Sequence, residues 1–80
     1  MQISAQISLY PLGKEHLQEE IRAFVKMIEA RGLPCTIGSM STVVSGDSAA
    51  VFPALQEAFE YVASRGGYVM VSTISNACPV

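Results

Sequence analysis

Along residues 2–10 the chain alternates strictly. Ile3, Ala5, Ile7 and Leu9 are apolar, and Gln2, Ser4, Gln6, Ser8 and Tyr10 carry polar groups between them. A period of two over this length predicts a strand with one buried face, closed by Pro11 and Gly13. Over residues 14–31 the period lengthens, and Leu17, Ile21, Phe24, Val25 and Ile28 fall on one stripe of a helix. Glu15, Glu19 and Glu20 near its start and Arg31 at its end suit the helix dipole. Gly32 and Pro34 stop it.

Two short β-prone pieces follow, near residues 34–39 and 42–45, with a Ser39-Met40-Ser41 corner between them. So short a link predicts a hairpin. Asp47 and Ser48 are both good N-cap types for the next helix, which buries Val51 or Phe52, then Leu55, Phe59 and Val62, and ends at Gly66-Gly67. Pro53 is comfortable only in a first helical turn, so this helix starts either at Ser48 or nearer Val51. Residues 68–75 form a last β-branched strand, with Val69, Val71 and Thr73 on one side and Tyr68, Met70, Ser72 and Ile74 on the other.

The order strand, helix, strand, strand, helix, strand predicts an α+β, ferredoxin-like β-α-β-β-α-β domain spanning residues 1–80. Right-handed crossovers put both helices on one face of a four-stranded antiparallel sheet and leave the other face bare. At 80 residues the chain buries only about 60% of its unfolded surface, so its core must be efficient or a second subunit must help.

Charge sharpens this picture. Only 15% of residues are charged, against roughly 25% in an average domain, and apart from Asp47 all lie in or beside the two helices. A sheet face left in water, and above all an edge strand, usually carries charge. Here the bare face is expected to present Ser4, Gln6, Ser8, Tyr10, Met70, Ser72 and Ile74, all neutral. Such a face suits a second copy of the chain, as in a homodimer or higher homo-oligomer, or a small molecule held by uncharged hydrogen-bonding groups, or both side by side.

The same composition argues against other classes. Lys14, Arg22, Lys26, Arg31 and Arg65 are scattered among acidic residues, not the basic stripe that nucleic-acid binding needs. Cys35 and Cys78 are far apart and there is a single histidine, His16, so no metal-ligand spacing exists. Two free thiols suit a reducing compartment. With neither a signal peptide nor a membrane-length apolar run in the sequence, a cytoplasmic location is expected. The turn after the first strand offers only Lys14 for a phosphate, and no nucleophile–base set can be assembled around His16, so catalysis is not expected.

Two segments carry a family resemblance. Ile3-Ser4-Ala5-Gln6-Ile7-Ser8-Leu9-Tyr10-Pro11-Leu12 resembles the Ykof family of thiamine- and hydroxymethylpyrimidine-binding proteins. The hairpin Gly38-Ser39-Met40-Ser41-Thr42-Val43-Val44-Ser45-Gly46 is similar to that family's second signature, and to the related thiamine-binding superfamily with its Met-x-Thr turn and glycine before the second helix. The resemblance covers nearly the whole chain. It implies a ferredoxin-like domain that binds thiamine or its pyrimidine half without catalysis, for salvage, transport or sensing, and with no other cofactor. Members of the Ykof family resemble two such domains in tandem, an arrangement that a homodimer of this chain would rebuild.

The residues fit that ligand. An aminopyrimidine is flat and neutral, with an amino donor and ring-nitrogen acceptors. Gln6 and Ser8 both donate and accept, and Tyr10 can stack on the ring. Thr42 and Ser45 add hydroxyls, and Met40 a soft wall. The thiazolium of whole thiamine needs a π-face or a carboxylate, which Tyr10 and Asp47 supply. Against these roles, Asp47 also reads as a helix cap, Thr42 and Ser45 as ordinary strand residues, and Met40 as a packing residue.

Overall fold

The computed structural model describes residues 1–13, 15–39 and 41–77. The chain runs β1 (Gln2–Pro11), α1 (Leu17–Glu29), β2 (Cys35–Ile37), β3 (Thr42–Asp47), α2 (Ser48–Ala63) and β4 (Tyr68–Ser75). All strand pairings are antiparallel, in the order β2-β3-β1-β4. This is the ferredoxin-like α+β architecture that the hydrophobic periods predict.

The core lies between the sheet and the helices. Ile3, Ala5 and Ile7 of β1 and Val44 of β3 meet Phe24, Val25 and Ile28 of α1 and Val51, Leu55 and Val62 of α2. Ala54 and Ala58 are also buried, and their small side chains let α2 settle close to its neighbours. Gly46 does the same for β3: a Cβ there would stand 2.7 Å from Leu33 Cδ2, so a larger residue would overpack this corner. Arg31 ties the end of α1 to Glu57 of α2 at 2.6 Å. Glu20 of α1 accepts a hydrogen bond from the Tyr68 hydroxyl and lies 3.6 Å from Arg65.

Helix α2 begins at Ser48, with Asp47 as its N-cap accepting from Ala49 N at 3.0 Å. Pro53 therefore lies inside the helix. Its ring is on the exposed side, and the apolar burial of Val51, Ala54 and Leu55 around it outweighs the lost backbone bond. Phe52 and Leu17 stay about half exposed, at 50% and 48%; α1 starts only at Leu17, where its first turn overhangs the core.

The bare face differs from expectation on β4. Residues paired across antiparallel strands share a face, and the register sets Gln6 against Thr73, Ser8 against Val71 and Tyr10 against Val69. The open face of β4 is thus Val69, Val71 and Thr73. Met70, Ser72 and Ile74 belong to the helix side, opposite Leu9, Ile7 and Ala5, with Met70 packed on the core. The open face thus keeps two apolar residues and one hydroxyl from β4, but they are different ones: Val69 and Val71 are 45% and 54% exposed.

Candidate functional site

The first strand sets the geometry. Its alternation turns Gln6, Ser8 and Tyr10 to the open face and Ile7 and Leu9 toward α1. At the C-terminal end of β1 lies the corner between β2 and β3, closed by Gly38 N donating to Ser41 O at 2.7 Å. Because Ile7 pairs with Thr42, this corner comes alongside Ser8 and Tyr10. Gln6 reaches the corner diagonally across the sheet, its Nε2 donating to Ser41 Oγ at 3.2 Å.

Between this end of the sheet, the corner and α1 lies a slot of about 110 Å³. Its apolar walls include Ile7, Leu9, Ile21, Phe24 and Ile37, and its hydroxyls come from Ser8, Tyr10, Ser39, Ser41 and Thr42. Cavities that hold a whole drug-sized ligand run to roughly 300 Å³ or more, whereas an apolar cavity of about 150 Å³ takes a benzene ring. The slot is therefore on the scale of one six-membered ring. Among the described residues its lining has no carboxylate, imidazole, amine or thiol. It offers apolar contact and uncharged hydrogen bonds. Outside it, a groove of about 430 Å³ continues along α1 and shares Ile21, Ile37, Gly38 and Ser39, with Gln18 and Arg22 added.

The expected site residues divide into two groups. Ser8, Tyr10 and Thr42 line the slot, and Gln6 joins it through Ser41. Thr42 is buried, at 5% exposure, and lies on the helix side with Ile7, not on the open face. The slot itself opens at the end of the sheet against α1, because Ile21 and Phe24 wall it; the sequence placed it on the open face. Met40 lies outside the described residues.

Ser45 and Asp47 sit elsewhere. The register pairs Ser4 with Ser45 and Gln2 with Asp47. Asp47 is thus five β1 residues from the Ile7–Thr42 pair, about 17 Å at the rise of a strand. Ser45 Oγ lies 3.3 Å from Ser4 Oγ. The Asp47 carboxylate accepts from the terminal ammonium of Met1 at 2.8 Å and from Ala49 N, and these bonds hold its pKa below the ordinary value. It is occupied as a cap and an ion pair.

Sequence reasoning missed Ser39, Ser41 and Ile37 as wall residues, and Ile21 and Phe24 as anything beyond core. The hydroxyl-rich corner was visible in the sequence, but only the Ile7–Thr42 register brings it to Ser8 and Tyr10. Cys35 has a free, half-buried thiol pushed up to about 11 by burial and by the Glu29 charge. Cys78 lies outside the described residues. Among the described residues no group of three or more His, Cys, Asp and Glu side chains is placed to hold a metal ion, and no helix is long and apolar enough to cross a membrane.

Comparison with known proteins agrees with this architecture. A family model described as thiamine-binding protein matches residues 5–76. Among curated proteins none matches. A hypothetical protein of Methanocaldococcus jannascii superposes with a TM-score of 0.85 at 23% identity, over 96% of this chain and 81% of its own. A Thermotoga maritima protein provisionally assigned to thiamine biosynthesis/salvage gives 0.82 at 19% identity, over 94% and 83%. A domain of unknown function, DUF77, from Bacillus cereus gives 0.77 at 15% identity, over 94% and 75%. At these identities the structural likeness speaks to the fold.

Proposed function

The chain belongs to the thiamine-binding protein family, and on that premise we propose that it binds the hydroxymethylpyrimidine half of thiamine, without chemistry, in the slot between β1, the corner at residues 38–41 and α1. The observation that carries this reading is the slot itself: ring-sized, apolar-walled and edged by five hydroxyls with no charge. A neutral heteroaromatic ring there gains apolar contact with Ile7, Leu9 and Phe24, while the hydroxyls meet its amino group and ring nitrogens. Tyr10, 54% exposed at the mouth, offers its ring face.

Whole thiamine fits less well. Its thiazolium would leave the slot along the outer groove, where Arg22 is the charged side chain, or lie over Tyr10. Asp47, the carboxylate the sequence offered for that cation, is at the far end of β3. The pyrimidine half is accordingly the preferred ligand, in a salvage or sensing role and with no resident cofactor. Calorimetric titration with hydroxymethylpyrimidine and with thiamine checks this. The expected result is tighter binding of the pyrimidine, weakened about tenfold or more by Thr42→Val, which leaves a polar ligand group unpaired at nearly constant volume. No heat with either compound from folded protein would remove the proposal.

A second reading is favoured by the open face, where Val43, Val69 and Val71 stand among neutral residues. It is that of an oligomeric interaction module covered on that face by another copy. Full closure of the face, with no heat from either compound, is its expected signature.

A further inference from the structure

The cations of the chain are placed unequally. Arg31 is paired with Glu57, and Arg65 lies 3.6 Å from Glu20. Among the described residues neither Arg22 nor Lys26 has an ion pair or a side-chain hydrogen bond. These two differ in what they face. Lys26 lines a separate groove with Glu19, Met27 and Tyr61. Arg22 borders that groove as well, but it also lines the outer groove of about 430 Å³.

The slot and the outer groove share Ile21, Ile37, Gly38 and Ser39, so a ring seated in the slot opens directly onto Arg22. Gln18 and Arg22 stand four residues apart on one face of α1, and Ser39 adds a hydroxyl from the corner between β2 and β3. Neither lining contains a carboxylate among the described residues. An arginine that faces no carboxylate, with an amide and a hydroxyl beside it, is a donor set for a phosphate. The planar guanidinium can bond two phosphate oxygens at once, and Gln18 and Ser39 can each donate one more hydrogen bond.

Resting on the ligand reading above, we propose that the molecule this site takes in full is the phosphate monoester of hydroxymethylpyrimidine. The ring fills the slot, and the phosphate on its exocyclic methylene lies in the outer groove against Arg22. Arg22 is then the residue that determines specificity. In thiamine the same methylene carries the thiazolium cation, which Arg22 repels. In the free alcohol it carries a neutral hydroxyl, which leaves the guanidinium unused. The slot recognises the ring, and the groove recognises the charge of its arm. No bond is made or broken.

Calorimetric titration tests this with three compounds: hydroxymethylpyrimidine, its monophosphate, and inorganic phosphate alone. At low ionic strength the monophosphate is expected to bind about tenfold or more tighter than the alcohol, and the margin should shrink as salt screens the exposed arginine. Arg22→Gln should erase the margin, and Lys26→Gln should retain it. Both side chains are exposed, so both variants should unfold at the same denaturant concentration as the parent. Thr42→Val acts on the ring and should weaken alcohol and monophosphate alike. Equal affinity for alcohol and monophosphate would overturn the proposal and leave the slot reading standing. A margin that survives Arg22→Gln would overturn it too. So would inorganic phosphate binding as tightly as the ester, which would make Arg22 the site of an adventitious ion only. No binding of alcohol or ester by folded protein would remove the slot reading and this proposal together.

Discussion

The two faces of the sheet use the same strands and reach opposite states. On the helix side Ala5 and Val44 are fully buried and Ile3 and Ile7 nearly so. One residue along, on the open side, Tyr10 and Val71 are each 54% exposed. The first face is completed within the chain. The second has neither a cover of its own nor the charges that keep a free surface in water. Stability should therefore reside in one face, and recognition should lie where that face ends, at the corner where the slot opens.

The largest test of this contrast is Phe24→Ala. Phe24 is 1% exposed and walls both the core and the slot. Its truncation should cost about 3–5 kcal/mol in denaturant unfolding and abolish pyrimidine binding together with the packing. The cysteines give a chemical version of the comparison. Burial holds the Cys35 thiol near 11 where an ordinary one titrates at 9.0. At pH 8 its thiolate fraction is then about 100-fold lower, two pH units in the exponent. In Cys78→Ser protein, Cys35 should react with an aromatic disulfide correspondingly slowly and recover as pH rises toward 11. A cysteine placed next door on the open face, by Thr36→Cys in a background also lacking Cys35, should react at the ordinary rate. The smallest effect belongs to the open face itself: Val71→Thr should move unfolding by no more than about 0.5 kcal/mol.

The elements were legible because the hydrophobic period changes where the structure changes, from two along residues 2–10 to a helical stripe after Lys14 and back again. Faces were legible only where polar and apolar residues alternate cleanly. On β1 they do. On β4 both faces hold apolar residues, Val69 and Val71 against Met70 and Ile74, so periodicity separates two sides without saying which faces the helices. The pairing of Ser8 with Val71 decides it. The start of α2 was open for a related reason, because the local cost of Pro53 had to be weighed against burial that only the tertiary structure shows. The candidate site was half legible. Gln6, Ser8, Tyr10 and Thr42 gather at one end of the sheet, whereas Ser45 and Asp47, close in sequence to the same hairpin, are carried to the other end by the direction of β3.

The measurement that bears most directly on the slot is an amide chemical-shift titration of isotopically labelled protein with hydroxymethylpyrimidine. The account predicts that the largest shifts fall on Ser8, Tyr10, Ile21, Phe24, Gly38 and Thr42, with Ser4, Ser45 and Asp47 unmoved. Shifts confined to Ser4, Ser45 and Thr73 on the open face, with the corner and α1 silent, would contradict it.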